Sequence, residues 1–396
     1  MTKVSILNLI PKYKDETQKD AVDRAVRLAK FADQRDFSRY WIAEHHNSPA
    51  VLGAATDVMI CHMLHNTNRI TVGAGGVMLP NHTPFQVVER YASLDILFPG
   101  RVDIGIGRAP GTDIETAKLI YRNIYRREDF TKAIEEMQLY MSDEAWDLKV
   151  APYPGAGSKI PITILGSSET SAHIAAELGL PYSFAGHFAP HTIGYALDIY
   201  RSEFKPSKYL ERPYVMLGTS VNIAKTKSEA EILKEHAKNI SLQIIRQERK
   251  EFLKLDPDNE PELTSMEKFV LRTSKGLSIE GDIDEARSIW KQIKEEYNPD
   301  EVIGASYIPE EDKLIDNYKF FEDIILNSWF KAKSVDLIHA FKICVRIKQM
   351  LLQIKLLRTT SSITVLSFRF YLVQLFLKFF HYNQDTFLII YTSKIR

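Results

Sequence analysis

The chain has 396 residues, and its 51 Lys and Arg balance its 51 Asp and Glu, so the formal net charge is zero. Residues 331–396 hold eleven basic residues and two acids, a net charge of +9, which leaves −9 for residues 1–330. An acidic body repels nucleic acid, so we expect no nucleic-acid role for residues 1–330. The two cysteines, Cys61 and Cys344, are too few for a disulfide framework or a zinc cluster.

The composition is that of an ordinary globular protein, with 45% hydrophobic and 26% charged residues. The N-terminal sequence MTKVSILNLIPKY becomes charged too early for a signal peptide. These features predict a cytoplasmic protein.

Short runs rich in Val and Ile alternate with segments of helical periodicity, which is typical of βα units around a parallel sheet. Thr17 and Asp20 form a capping-box pattern before the first helical segment. The predicted strands are Val4–Leu9, Tyr40–Ala43, Ile70–Ala74, Val102–Ile106, Ile162–Leu165, Tyr182–Ala185, Tyr214–Val221 and Glu301–Ala305. Eight such units predict an α/β fold, the (β/α)8 TIM barrel, with catalytic residues at the C-terminal ends of the strands.

Two regions depart from the regular spacing. Roughly 80 residues separate the last two predicted strands, and this insertion before the last strand is either a lid over the active end or a surface helical hairpin. All 18 Gly and all 17 Pro precede residue 331. We therefore predict a barrel domain over residues 1–330 and a tail over residues 331–396 that is not part of the fold.

The tail has two interpretations. Its apolar run from Ile363 to Phe380 is interrupted by Arg369 and Lys378, so it is a poor membrane span, although a basic segment could lie on a membrane surface. Alternatively, the tail comes from a shifted reading frame or from read-through past a stop codon. We favour the second interpretation and expect no membrane association.

The second predicted strand ends in Glu44-His45-His46. Adjacent side chains on a strand face opposite ways, so these residues cannot all bind one metal ion, and we expect no metal site. One histidine is expected to face the barrel mouth for acid/base chemistry while the other orients or packs. Both could instead be structural polar residues.

Glycines stand at the C-terminal ends of the next two predicted strands. Gly73, Gly75 and Gly76 predict backbone lying close to a planar ring, although a glycine bulge is an equal alternative. Gly105 and Gly107 lack the third glycine and the downstream acid of a dinucleotide-binding fingerprint, so a Rossmann fold is excluded.

Arg108 follows the fourth predicted strand, and its planar guanidinium is suited to a phosphate. Gly166, Ser167, Ser168 and Ser171 stand before and within the first turn of a helix, where free amides favour anions. Plain N-capping would explain the serines alone. Together with Arg108, they predict a phosphate site.

These residues together resemble the bacterial luciferase-like flavin monooxygenase family over about residues 3–326. The matching segments are Glu44-His45-His46, Val72-Gly73 through Pro80, Gly100-Arg101 leading into Gly105 to Arg108, Pro161 to Pro181, and the turn Gly281 to Ala286. The resemblance implies a TIM barrel that binds FMN at its C-terminal mouth and acts as a monooxygenase on a small organic substrate with O2. It also implies a homodimer.

The resemblance assigns roles to the residues. Arg108, Ser167, Ser168 and Ser171, next to Gly166, would hold the FMN phosphate, and Gly75-Gly76 would form a cis peptide bond beside the flavin ring. His45 would be the acid/base group, oriented by Glu44 and His46. Because no nicotinamide fingerprint is present, a separate flavin reductase would supply the reduced FMN.

The chain also departs from the family pattern. Gly107 stands where the light-emitting luciferase subunit has cysteine, and Ser167 stands where that subunit has an acid. The resemblance is therefore to the non-luminous, single-gene members. The alternatives are a deazaflavin-dependent hydride-transfer enzyme and a non-catalytic flavin-binding protein, and the sequence does not identify the organic substrate.

Overall fold

The computed structural model describes residues 1–120, 127–254, 261–273 and 275–326. Its nine strands are β1 Lys3–Asn8, β2 Arg39–Ile42, β3 Thr71–Met78, β4 Val102–Gly107, β5 Ile162–Gly166, β6 Tyr182–Phe184, β7 Val215–Ala224, β8 Ser278–Asp282 and β9 Glu301–Ala305. All eight predicted strands are present. The predicted tail lies outside the described residues, so the domain boundary stays a prediction.

Helices connect the strands. They are α1 Gln18–Asp33, α2 Thr56–His65, α3 Pro84–Leu97, α4 Ile114–Ile120, α5 Arg127–Tyr140, α6 Glu169–Leu178, α7 Ile193–Glu203, α8 Lys227–Ile245, α9 Ser265–Thr273 and α10 Ile283–Tyr297. Residues 311–326 are also helical. Thr17 and Asp20 form the predicted capping box of α1. No helix in the described ranges combines the length and apolar character needed to cross a membrane.

The strands form a closed parallel barrel. Each of β1 to β7 pairs with its sequence neighbour, and β9 closes the ring by pairing with both β7 and β1. The strands are rich in Val and Ile because both of their faces are buried, one against the barrel interior and the other against the helices. This confirms the predicted (β/α)8 fold.

Strand β8 was not predicted. It pairs with the second half of β7, from Ser220 to Ala224, and lies outside the closed ring. The insertion also contains α8 and α9, which are joined by an ion pair between Arg246 and Glu267 with an N–O distance of 2.7 Å. At its C-terminal end, α9 meets the loop after β6, where the His191 ring lies 3.1 Å from the Thr273 carbonyl. The insertion therefore contains a helix pair and an extra strand, and its action as a lid stays a prediction.

A buried ionic network occupies the N-terminal end of the barrel. Arg39 contacts the carboxylates of Asp103 and Glu301, and its Nε donates to Glu301 Oε1 at 2.7 Å. The Tyr214 hydroxyl donates to Glu301 Oε2 at 2.8 Å, and the Trp41 indole N–H donates to Asp103 Oδ1 at 2.8 Å. Each charge at this end thus has partners of the opposite sign or polar donors. We call this set of residues the base network.

Candidate active site

The opposite, C-terminal end of the barrel holds a cavity of about 380 Å³. The C-terminal end is where (β/α)8 barrel enzymes have their active sites. Its walls are largely apolar, with Leu7, Leu9, Trp41, Ala43, Met78, Phe130, Leu165, Ile174, Phe184, Phe188 and Ile303 among the lining residues. Its polar lining includes His45, Arg108, Ser167, Ser168, Ser171, Ser183 and His187. Such an apolar cavity with a few polar groups is typical of a small-molecule site.

His45 lines this cavity, three residues after the end of β2. Its Nδ1 atom is buried, and no described residue offers it a hydrogen bond. Burial lowers the pKa of His45 below its usual 6.5, and this effect outweighs the opposing influence of Glu44. His45 is therefore a neutral imidazole with a free nitrogen, which is the form needed for accepting a proton at neutral pH.

The Glu44 carboxylate is almost fully buried and serves as an acceptor for residues of the neighbouring loops. His46 Nε2 donates to Glu44 at 2.8 Å, Asn81 Nδ2 at 2.8 Å, His82 Nε2 at 3.0 Å and the Met78 amide at 2.9 Å. Burial raises the pKa of Glu44, but these hydrogen bonds and the His82 charge lower it to about 2. The carboxylate therefore ties the ends of β2 and β3 together.

Of the run Glu44-His45-His46, only His45 is among the described lining residues. His46 binds Glu44 through its ring and the Gly111 carbonyl through its backbone amide at 2.9 Å. This agrees with the expectation that one histidine faces the mouth while the other packs. The roles predicted for Glu44 and His46 in orienting His45 stay predictions, because their hydrogen bonds go to each other and to the neighbouring loops.

Gly75 and Gly76 are joined by a cis peptide bond, as the resemblance implied. The register of the β3–β4 pairing shifts between Gly75 and Val77. Gly75 lines the cavity, and a Cβ atom there would lie 2.7 Å from Trp41 Cε3 and 2.8 Å from Leu7 Cδ1. Glycine is therefore required at position 75 by packing against protein atoms alone. The strand has both features that the sequence left open, a bulge and a backbone that lines the cavity.

Arg108 directly follows β4 and lines the cavity with an exposed side chain. No ion pair within the described ranges involves it. Its guanidinium can therefore meet an anion that enters the cavity.

The predicted serines stand at the start of α6 and also line the cavity. Ser168 is the N-cap residue, but its hydroxyl makes no capping hydrogen bond. The Ser171 hydroxyl donates to the Ser168 carbonyl at 2.7 Å, and Gly166 leaves the space that this hydroxyl fills. The first N–H groups of a helix have no partner inside it, and the residues at this helix start line the same cavity as Arg108. Side-chain capping of α6 therefore does not explain why a serine stands at position 168.

Sequence reasoning missed His187, Asn81 and His82. His187 follows the three-residue strand β6, and His82 and Asn81 follow β3, so each stands at the end of a strand where functional residues are expected. That position was the available signal. Sequence reasoning also missed the apolar wall, because it is collected from loops and strands that are far apart in the chain.

Comparison with known proteins identifies the family. Residues 2–287 match the family model described as luciferase-like monooxygenase. The chain belongs to the luciferase-like monooxygenase family. It is 38% identical over 326 residues to the protein YddN of Bacillus subtilis, covering 81% of this chain and 95% of that protein. It is 34% identical over 321 residues to a luciferase-like monooxygenase of Escherichia coli K12, covering 81% and 96%.

Two solved structures share the fold. Apo-MsnO8 superposes with a TM-score of 0.73 at 24% identity, covering 82% of this chain and 98% of that chain. The oxygenating constituent of 3,6-diketocamphane monooxygenase from Pseudomonas putida, in complex with FMN, has a TM-score of 0.57 at 13% identity, covering 81% and 97%. At these identities the likeness supports the TIM barrel alone.

Proposed function

We propose that this chain is an FMN-dependent monooxygenase that uses reduced FMN and O2 to oxygenate a small organic substrate. The observation that carries the proposal is one apolar cavity that contains both a candidate anion site and a neutral histidine. The anion site comprises Arg108, Ser167 and Ser168 beside the N-terminus of α6. A cofactor that carries a phosphate on a flexible chain attached to a planar ring system matches both parts.

The residues fit FMN in a specific way. Arg108, the serine hydroxyls and the α6 amides would bind the phosphate, and Ser171 with Gly166 would shape the turn that presents them. Gly75 and Gly76 would lie beside the flavin ring, where no side chain projects. When bound, reduced flavin supplies the electrons that activate O2 for the transfer of one oxygen atom.

The protein's own contribution to the chemistry is proton handling and exclusion of water. His45 offers its imidazole at the cavity wall as a proton acceptor, and burial keeps the ring neutral at pH 7. The apolar wall excludes water from the reacting groups. A separate flavin reductase would supply reduced FMN, and we propose that the enzyme works as a homodimer in the cytoplasm.

Two similarities support this proposal. The diketocamphane enzyme with the same fold is titled as a monooxygenase in complex with FMN. An N-acetyl-S-alkylcysteine monooxygenase of B. subtilis is 34% identical over 194 residues, covering 47% of this chain and 57% of that protein. Both names describe oxygen transfer to a small molecule.

The test has two steps. The first is fluorescence titration of the purified chain with FMN and, separately, with a deazaflavin. The second is oxygen uptake with photoreduced FMN across a panel of aldehydes, ketones and sulfur compounds, with products identified by mass spectrometry. We expect FMN binding and at least one oxygenated product. Preferential deazaflavin binding, or bound FMN without oxygen use beyond free-flavin autoxidation, would reject the proposal.

A further inference from the structure

A second histidine lines the same cavity. His187 lies in the loop after β6, at the C-terminal end of the barrel. Its Nδ1 atom is buried, and like that of His45 it has no hydrogen-bond partner among the described residues. Nδ1 is packed against Gly218 of β7, whereas Nε2 is not among the buried unpaired atoms and has no partner among the described residues, so Nε2 is the ring nitrogen that a ligand in the cavity can reach.

The loop around His187 is held on both sides. The Leu277 amide donates to the Gly186 carbonyl at 2.9 Å, and the Phe188 amide donates to the Ala185 carbonyl at 3.0 Å. A Cβ atom at Gly218 would lie 2.9 Å from His187 Nδ1, so the glycine on β7 leaves the space that the ring occupies. The Phe188 ring lies against the imidazole, with centroids 4.2 Å apart. The ring position is therefore defined before any ligand binds.

The charge in this part of the cavity is low. Burial lowers the pKa of His187 to about 4, with a smaller opposing effect from the Gly218 backbone. Both histidines are consequently neutral at pH 7. The lining residues include no carboxylate, and Arg108 is the one charged side chain among them within the described ranges. A charged substrate group beside the histidines would lose hydration without gaining a counter-charge.

We propose that His187 hydrogen-bonds to the organic substrate, and that this substrate is an uncharged, mainly apolar molecule carrying one polar group. This inference rests on the proposed monooxygenase function and deepens it, because it separates two tasks between the histidines. His45 handles protons, whereas His187 positions the substrate. A neutral imidazole has one N–H donor and one acceptor nitrogen, so it can meet either a hydroxyl or a carbonyl.

The experiment measures binding of two matched probes, benzyl alcohol and toluene, to the full chain saturated with oxidised FMN. The two molecules share a ring, and only benzyl alcohol can hydrogen-bond to the imidazole. Dissociation constants come from ligand-observed NMR for wild type, His187→Phe and His187→Gln. His65→Phe is the control, because His65 is an exposed residue of α2 away from the cavity.

We expect His187→Phe to weaken benzyl alcohol binding about fivefold to tenfold, the loss expected for one hydrogen bond. Toluene binding should stay within about twofold, since the ring volume is kept. His187→Gln, which retains a donor and an acceptor, should recover most of the affinity for benzyl alcohol. Wild type should bind benzyl alcohol more tightly than protonated benzylamine or benzoate.

An equal effect of His187→Phe on both probes would assign His187 to packing and overturn the inference, as would tighter binding of either charged probe. If His187→Phe does not fold, a ¹⁵N spectrum of the wild-type histidines decides, because benzyl alcohol must shift the His187 Nε2 resonance. FMN titration of the same samples separates the two proposals. Absent FMN binding in wild type rejects the proposed function, whereas normal FMN binding with no effect of His187→Phe on benzyl alcohol rejects this inference alone.

Discussion

The two ends of the barrel treat buried polar groups in opposite ways. At the N-terminal end, Arg39 contacts two carboxylates, and Tyr214 and Trp41 complete the base network. At the C-terminal end, two half-buried imidazoles line the cavity, and their buried Nδ1 atoms have no partner among the described residues. The same barrel thus satisfies its polar groups internally at one end and leaves them available at the other.

This difference indicates what each end is for. Buried polar groups without partners destabilise a fold, so they persist where a ligand supplies the missing hydrogen bonds. Buried polar groups that hydrogen-bond to each other stabilise the fold itself. Substitutions at the two ends should therefore separate stability from function.

The largest effect is expected at the base network. Arg39→Met leaves Asp103 and Glu301 buried without their cation and should lower the free energy of unfolding by about 3–5 kcal/mol. Urea denaturation measures this change. The control Arg287→Met removes an exposed ion pair with Asp284 and should have little effect. Equal stability of both variants would contradict the role assigned to the base network.

His45 provides the strongest functional test at the other end. His45→Ala should lower turnover with reduced FMN by about 100-fold, because a positioned acid/base group contributes at least that much. FMN affinity and unfolding should change little. His173→Ala, which alters a partly exposed histidine paired with Glu203, is the control. Unchanged product formation by the His45 variant would remove it from the chemistry.

Strand β4 carries an arginine at each end, which allows a matched comparison. Arg101 donates to the backbone carbonyls of Thr67 and Ile70 before the strand begins, whereas Arg108 stands free at the cavity. Arg108→Ala should weaken FMN binding about tenfold to 100-fold, the worth of a charged hydrogen bond, and leave stability unchanged. Arg101→Ala should lower the stability of the fold and leave FMN binding unchanged. Fluorescence titration and urea denaturation of both variants would show whether either arginine serves both purposes.

The pH dependence of stability tests the neutral state of His187. Its pKa is lowered from 6.5 to about 4 by burial, so the unfolded chain binds a proton that the folded chain does not. The folded state should therefore lose stability as the pH falls from 6.5 toward 4, by at most about 1.4 kcal/mol per pH unit. The His187→Gln variant should lose less folding stability than wild type over the same pH interval. Parallel curves for wild type and variant would mean that the imidazole is not buried as a neutral group.

The smallest effect is expected from deleting residues 331–396. If the tail is not part of the fold, the unfolding midpoint and the FMN affinity should match those of the full chain. Mass spectrometry of the natively expressed protein would show whether it contains the tail. Liposome flotation that required residues 331–396 would instead support a membrane-surface role for the tail.

The barrel was predictable because the signal is repeated. Most of the eight ring strands combine a run of Val and Ile with a following helical period, as is typical of parallel strands buried on both faces. The extra strand β8 escaped prediction because its pattern, Ser-Ile-Glu-Gly-Asp, contains one large apolar residue. Its place beside β7 depends on tertiary pairing that the local sequence does not contain.

The position of a site residue at the cavity was predictable where one strand end was enough, and the roles of these residues stay predictions. His45 and Arg108 follow strong strands, and the structure places both at the cavity. His187 escaped because β6 has three residues and gave a weak signal. Glu44 was expected beside His45, but its hydrogen bonds are to His46, Asn81 and His82, two of which follow a different strand. Such contacts between loops depend on the fold and have no local pattern.

Trp41 joins the two ends that otherwise behave separately. Its indole N–H donates to Asp103 in the base network, while its ring lines the cavity and packs at the position of Gly75. The shape of the cavity floor is thereby coupled to the ion pairs beneath it. A protein engineer who redesigns the barrel base for heat resistance should therefore expect the range of accepted substrates to change as well.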